Sequence, residues 1–154
     1  MRRQTLMVVS AAAMSAMLVF AAVAVASTIK GTQGDDLSLD GTTADDKIVA
    51  KKGNDVVKAL AGNDVVNAGR GNDTVHGDDG NDTLKGKKGT DTLFGDLGDD
   101  VINSKGDGKK GGIDAVFCGD GNDVVSADKN DVVNDVVADC ETVKQPGKGK
   151  GPKP

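Results

Sequence analysis

Aspartate returns at Asp36, Asp46, Asp55, Asp64, Asp73, Asp82, Asp91, Asp100, Asp114 and Asp123, in one step of 10, six of 9, one of 14 and a last of 9. Two residues before them stand Gly34, Ala44, Gly53, Gly62, Gly71, Gly80, Gly89, Gly98, Gly112 and Gly121. Two residues after them stand Ser38, Ile48, Val57, Val66, Val75, Leu84, Leu93, Ile102, Val116 and Val125. Glycine fills nine of ten places in the first column, and a branched aliphatic nine of ten in the second. A unit this short cannot bury its own apolar residue, so neighbouring units must bury it by stacking. Self-similarity at a fixed short period is therefore the signature of a solenoid.

The unit is Gly-Asn-Asp followed by a short apolar patch, as in Gly62-Asn63-Asp64-Val65-Val66-Asn67. Gly and Asn tolerate positive φ, so the first half reads as a tight turn. Val, Thr and Leu in the second half favour a very short strand whose middle residue points inward. Two repeats then make one coil of about 18 residues, strand-turn-strand-turn, and stacked coils give two parallel sheets across a thin aliphatic core. Composition agrees. Trp and Tyr are absent and Phe occurs three times, which excludes a large aromatic core. Of the 24 acidic residues only Glu141 is not Asp, whereas a helical chain would use Glu freely. The expected fold is all-β, a parallel β-roll (β-solenoid) of about five such coils, with the repeats spanning residues 31–126.

The nonapeptide Gly-Gly-x-Gly-x-Asp-x-U-x, with U a large aliphatic, defines the haemolysin-type or RTX repeat. Gly77-Asp78-Asp79-Gly80-Asn81-Asp82-Thr83-Leu84-Lys85 resembles it everywhere except the second position. Gly86 to Phe94 and Gly95 to Asn103 do equally well. The resemblance implies a calcium-binding roll, with Ca2+ held between turns. The residue chemistry points the same way. Calcium takes six to eight oxygens from carboxylates and backbone carbonyls, and a glycine-rich turn carrying one Asp offers both. Residues 18 apart should stack, Asp46 over Asp64, Asp55 over Asp73, Asp64 over Asp82, Asp73 over Asp91 and Asp82 over Asp100. Stacked carboxylates repel unless a cation lies between them, which would couple metal binding to folding. The expected ligands are Asp46, Asp55, Asp64, Asp73, Asp82, Asp91, Asp100 and Asp123, with Asp36 and Asp114 the weaker members. The competing reading is that these Asp only form turns, bonding to nearby backbone.

Departures from the repeat carry their own expectations. Ser38 and Ala44 mark degenerate first units that would cap the stack. Lys51-Lys52, Lys87-Lys88 and Lys109-Lys110 place cations in turns and should lower local affinity. Five extra residues between Asp100 and Asp114, within residues 104–110, read as a loop bulging from one turn. That loop puts the stacking of Asp91 on Asp114 and of Asp100 on Asp123 in question. Residues 127–143 are expected to cap the last coil; their Val pairs recur every four residues, as in a helix, but the Val and Thr content leans to strand. Cys118 and Cys140 are the only cysteines. In an exported chain they would pair and tie down the cap, the alternative being two buried thiols.

Export is expected from the N-terminus. Arg2 and Arg3 precede an apolar run from Leu6 to Val25, and Ala24-Val25-Ala26 supplies small residues for cleavage after Ala26. Residues 1–26 thus read as a signal peptide, the alternative being an uncleaved anchor, and the product as secreted. Without the two arginines, 17 basic face 24 acidic residues, a net charge of −7, which argues against nucleic acid as a partner. Once cleaved, the chain has no segment for stable membrane insertion, and a monomer is expected. Residues 144–154, mostly Lys, Gly and Pro, read as a disordered tail, either solubilising or in contact with anionic cell-surface polymers. One His and two Cys are too few for a multi-ligand zinc site of the Cys/His type or for an iron–sulfur cluster. His76 stands apart at an outward strand position, and no nucleophile–base pair can be assembled. Asp pairs could suggest a two-metal hydrolase, but calcium stacked between turns would leave no substrate position. The chain is therefore expected not to be an enzyme. A second non-enzymatic reading is an adhesion, surface- or ice-recognition module, using the outer face on which Thr74, Thr83 and Thr92 recur.

Overall fold

The alternation of inward and outward side chains sets the architecture. In Val65–Arg70 the valine and alanine at 66 and 68 are buried while their neighbours face outward, and the same pattern returns in Lys47–Lys52, Thr83–Lys88, Thr92–Leu97 and Ala115–Asp120. The structure, a computed structural model, describes residues 25–106, 112–134 and 140–144. The strands are β1 (Thr28–Lys30), β2 (Leu39–Asp40), β3 (Lys47–Lys52), β4 (Val56–Lys58), β5 (Val65–Arg70), β6 (Thr74–His76), β7 (Thr83–Lys88), β8 (Thr92–Leu97), β9 (Val101–Asn103), β10 (Ala115–Asp120), β11 (Val124–Ser126), β12 (Val132–Asn134) and β13 (Thr142–Lys144). Odd-numbered strands up to β9 join β11 and β13 in a seven-stranded parallel sheet, and β12-β10-β8-β6-β4-β2 form a six-stranded one. Among the described residues there is no helix, and so none long and apolar enough to cross a membrane.

The fold is thus the expected β-solenoid, with about six turns where about five were anticipated. The difference lies at the C-terminal cap, which continues the coil. Val132 pairs with Ala115, and Thr142 with Val124, in the same parallel register as the repeats. The Cys118–Cys140 disulfide links this end across 22 residues, with Cα atoms 5.5 Å apart. The insertion does not break the stack either. Ala115 still pairs with Thr92 and Val124 with Val101, so the five extra residues leave the ladder without shifting it. The signal-peptide reading for residues 1–26 and the tail reading for 144–154 fall almost wholly outside the described residues, as does Lys109-Lys110.

Two expectations need correction. More than one residue of each repeat points inward. The aliphatic column from Ile48 to Val125 is fully buried, but so is a second column two residues on, occupied by Ala50, Ala59, Ala68, Ser104, Cys118 and Ala127. Small side chains stand there because the Asp carboxylates of the turns pack against this column. At Gly77 of the same column an added Cβ would collide with the Asp82 carboxylate. Secondly, the threonines do not share a face. Thr74 pairs with Thr92 in the six-stranded sheet, whereas Thr83 lies in the seven-stranded sheet between Val65 and Val101. Successive nonapeptides fall on opposite sheets, so a column of period nine in sequence is two columns of period 18 in space.

Candidate metal centre

The same alternation divides the turns between two edges of the roll. One edge carries Asp36, Asp55, Asp73, Asp91, Asp114 and Asp131; the other carries Asp46, Asp64, Asp82, Asp100, Asp123 and Glu141. Along each edge the carboxylates form a ladder. Oδ1 of Asp73 accepts the backbone N–H of Asp55 at 2.9 Å, and Oδ1 of Asp91 that of Asp73 at 2.9 Å. On the opposite edge Asp82 accepts from Asp64 at 2.7 Å and Asp100 from Asp82 at 2.8 Å. Both ladders cross the insertion intact, from Asp91 to Asp114 and from Asp100 to Asp123, each at 2.8 Å. All five anticipated stacks are present.

Both ladders extend past Asp123, the last Asp of the nine-residue pattern, to Asp131 and Glu141. Asp131 accepts the N–H of Asp114 at 3.2 Å, and Glu141 accepts that of Asp123. The signal was there: Val133 and Val143 stand two residues after them, as the repeat requires. Asn also has a different role from the one expected. The positive φ angles fall on its neighbours, including Gly62 and Gly80, while Asn builds a second, exposed ladder. Oδ1 of Asn54 accepts the N–H of Asn72 at 2.8 Å, and Oδ1 of Asn72 that of Thr90 at 2.8 Å. This ladder runs opposite in sense to the Asp ladder, so each turn is bonded to both neighbours through side chains.

The second carboxylate oxygen decides what the site can hold. Asp55, Asp64, Asp73, Asp82 and Asp100 are each about 1% exposed or less, and their Oδ2 atoms are buried with no hydrogen-bond partner. A buried acceptor without a donor costs about 1–3 kcal/mol, more if charged. One such atom per nine-residue repeat demands a counterpart. The first turns differ: Oδ2 of Asp36 accepts the N–H of Thr32 at 2.7 Å, and Oδ2 of Asp46 that of Thr42 at 2.6 Å. Electrostatics follow the geometry. Burial, joined by the neighbouring carboxylates, pushes Asp73 up to about 6 and Asp82 and Asp100 up to about 7. Burial also tends to raise Asp46, but hydrogen bonds from Ser27 and Thr42 outweigh it and leave the net shift downward. The central Asp are thus carboxylates that resist ionising without a cation beside them.

The two edges are not equivalent. Lys51 pairs with Gly69 and Gly69 with Lys87, while Lys52 pairs with Arg70 and Arg70 with Lys88, giving the Asp73 edge a row of cations. The corresponding places on the Asp82 edge hold Leu60, Ala61, Asp78, Asp79, Asp96 and Leu97. Asp78 and Asp96 add to the repulsion on Asp82. The donor set is all oxygen, anionic and repeated at every turn, which suits calcium. Magnesium favours rigid octahedral sites that keep water, and zinc favours nitrogen or sulfur.

No curated protein and no solved structure matches the chain. A family model described as RTX calcium-binding nonapeptide repeat (4 copies) matches residues 40–75 and 76–107, the stretch that builds the central coils. Repeats of this kind bind Ca2+, and residues 40–107 of the chain are similar to the RTX calcium-binding nonapeptide repeat.

Proposed function

We propose that this calcium-binding repeat protein is secreted and non-enzymatic, and that its coils fold as calcium binds between stacked turns. The ligands assigned are Asp55, Asp64, Asp73, Asp82, Asp91, Asp100, Asp114 and Asp123, together with turn carbonyls. Asp36 and Asp46 are terminal, weaker members, because Thr32 and Thr42 already serve their second oxygens. The observation that carries the reading is the set of buried, unpartnered Oδ2 atoms on Asp55, Asp64, Asp73, Asp82 and Asp100. When calcium is bound it supplies the positive charge these atoms lack. Binding to the folded chain alone then drives the folding equilibrium by mass action.

Occupancy is expected to begin on the Asp82 edge, where Asp78 and Asp96 deepen the negative potential, and to follow on the edge carrying Lys51, Arg70 and Lys87. Export is supported by the leader-like residues 1–26 and by the Cys118–Cys140 disulfide, a bond that persists in oxidising compartments. Extracellular calcium modules work at about 10⁻⁴–10⁻³ M, so the chain would stay unfolded inside the cell. Far-UV circular dichroism of residues 27–154 during a calcium titration, with magnesium as control, tests this. A disordered spectrum turning to β near millimolar calcium, and not with magnesium, is expected. A β spectrum indifferent to calcium and chelator would leave the Asp columns as turn formers.

A second reading, recognition of an anionic extracellular surface, rests on a different feature. A cleft of about 370 Å³ is lined by Lys51, Asn67, Arg70, Lys87, Lys88 and Lys105. Salt-sensitive retention of calcium-loaded protein on an immobilised anionic polysaccharide, abolished by Arg70→Glu with Lys88→Glu, would favour it. The ice-recognition variant loses its basis, since rows such as Val56, Thr74, Thr92, Ala115 and Val132 are mixed.

A further inference from the structure

The chain's one histidine does not stand apart. His76 stacks on Phe94, with ring centroids 4.4 Å apart and planes inclined by 4°, and Phe94 stacks on Phe117 at 4.8 Å. This column fixes the imidazole plane and turns Nδ1 towards the turn, where Oδ2 of Asp96 lies 3.1 Å away. Asp78, one coil from Asp96, completes a group whose three ligand atoms all lie within 4.8 Å of one another. All three side chains are partly exposed, unlike the buried Asp column, so an ion can reach them from solvent.

We propose that His76, Asp78 and Asp96 form a second metal site, chemically distinct from the calcium turns, for a first-row transition dication of the zinc type. An imidazole nitrogen is a poor calcium ligand and a good one for zinc, cobalt or nickel. Bond lengths of about 2.0–2.2 Å to nitrogen and oxygen place tetrahedral ligands about 3.4 Å apart, close to the His76–Asp96 separation. Three protein ligands leave one position for water. A single His excludes a site built on several imidazoles; here two carboxylates replace them, and only the coil brings residues 76, 78 and 96 together. Asp78 and Asp96 occupy the second place of the nonapeptide, where the family pattern has Gly, and both take positive φ, 63° and 69°. Each therefore has a Gly replacement that the backbone prefers, which makes the test clean.

The test uses the full chain saturated with calcium and titrated with Zn2+ alone, followed by NMR of the imidazole, which gives one set of signals because the chain has one His. One equivalent of Zn2+ should shift these signals, and Co2+ should give the visible absorption of a tetrahedral centre. His76→Phe, which keeps the ring stack, should abolish zinc binding while leaving the calcium titration unchanged. Asp78→Gly and Asp96→Gly should weaken zinc at least tenfold in a roll that stays folded. Imidazole signals indifferent to Zn2+, or equal zinc affinity in His76→Phe, would overturn the site and show that zinc only visits the calcium turns.

Discussion

Replacing Asp82 by Asn separates the charge of the carboxylate from its hydrogen bond. Asn retains an Oδ1 that can accept the Asp64 N–H, now bonded at 2.7 Å, but it carries no charge. Burial first, then Asp64, Asp78 and Asp96, lift Asp82 from 3.8 to about 7. A displacement of that size corresponds to about 4 kcal/mol between the ionised and neutral carboxyl. Coulomb repulsion gives a similar scale: neighbours one strand spacing away, about 4.8 Å, contribute about 3 kcal/mol each at an effective dielectric near 20. Water at the turn screens part of this, so Asp82→Asn should stabilise the metal-free roll by about 2–4 kcal/mol. With calcium the sign reverses, because the variant lacks a ligand. Osmolyte-driven folding in chelator, followed by far-UV circular dichroism, measures the first effect, and calcium-driven folding the second. The variant should need less trimethylamine oxide than wild type and several-fold more calcium. If it needs more of both, the carboxylate is a turn former whose hydrogen bonds matter more than its charge, and the calcium assignment at Asp82 fails.

Three further outcomes follow from the structure. Asp73, Asp82 and Asp100 titrate above the unfolded value of 3.8, so the metal-free fold binds more protons than the unfolded chain between about pH 4 and 7. Its stability should fall as pH rises through that window, while calcium affinity rises and protons are released on binding, which calorimetry in buffers of different ionisation enthalpy would register. Leu60 and Lys87 hold φ of 78° and 84°, so Leu60→Gly and Lys87→Gly should each raise stability by about 1 kcal/mol. Gly80→Ala, at φ 135° and against the carbonyl of Gly62, should instead lose at least that much; urea midpoints in calcium decide both. Cys118→Ser with Cys140→Ser opens a loop of 22 residues and should cost about 3 kcal/mol, seen as a lower melting temperature at saturating calcium.

The nine-residue period was enough to establish the solenoid, the parallel pairing 18 residues apart and the stacked Asp columns, because each depends on a pattern that every unit repeats. Its reach ended where a unit departed from the pattern in type or spacing. Asp131 follows Asp123 by 8 residues and Glu141 replaces Asp, so the last coil read as a separate cap although Val133 and Val143 keep the rule. The buried small-residue column of Ala50, Ala59 and Ala68 was equally visible as letters, but its meaning depends on how closely the Asp carboxylate of the following turn approaches the column.

Tertiary structure alone decided how the repeats are shared between two edges. Aligned at nine residues, Lys87 and Asp96 occupy the same place in consecutive units; in the coil they lie on opposite sides, one lining a cleft with Lys51 and Arg70, the other against Asp78. The same two-unit coil separates Thr83 from Thr74 and brings His76 against Phe94 and Asp96. It also fixes which carboxylate oxygen is bonded and which is left for a cation. Local chemistry repeats every nine residues, but space repeats every 18, and the electrostatics of the roll follow the longer period.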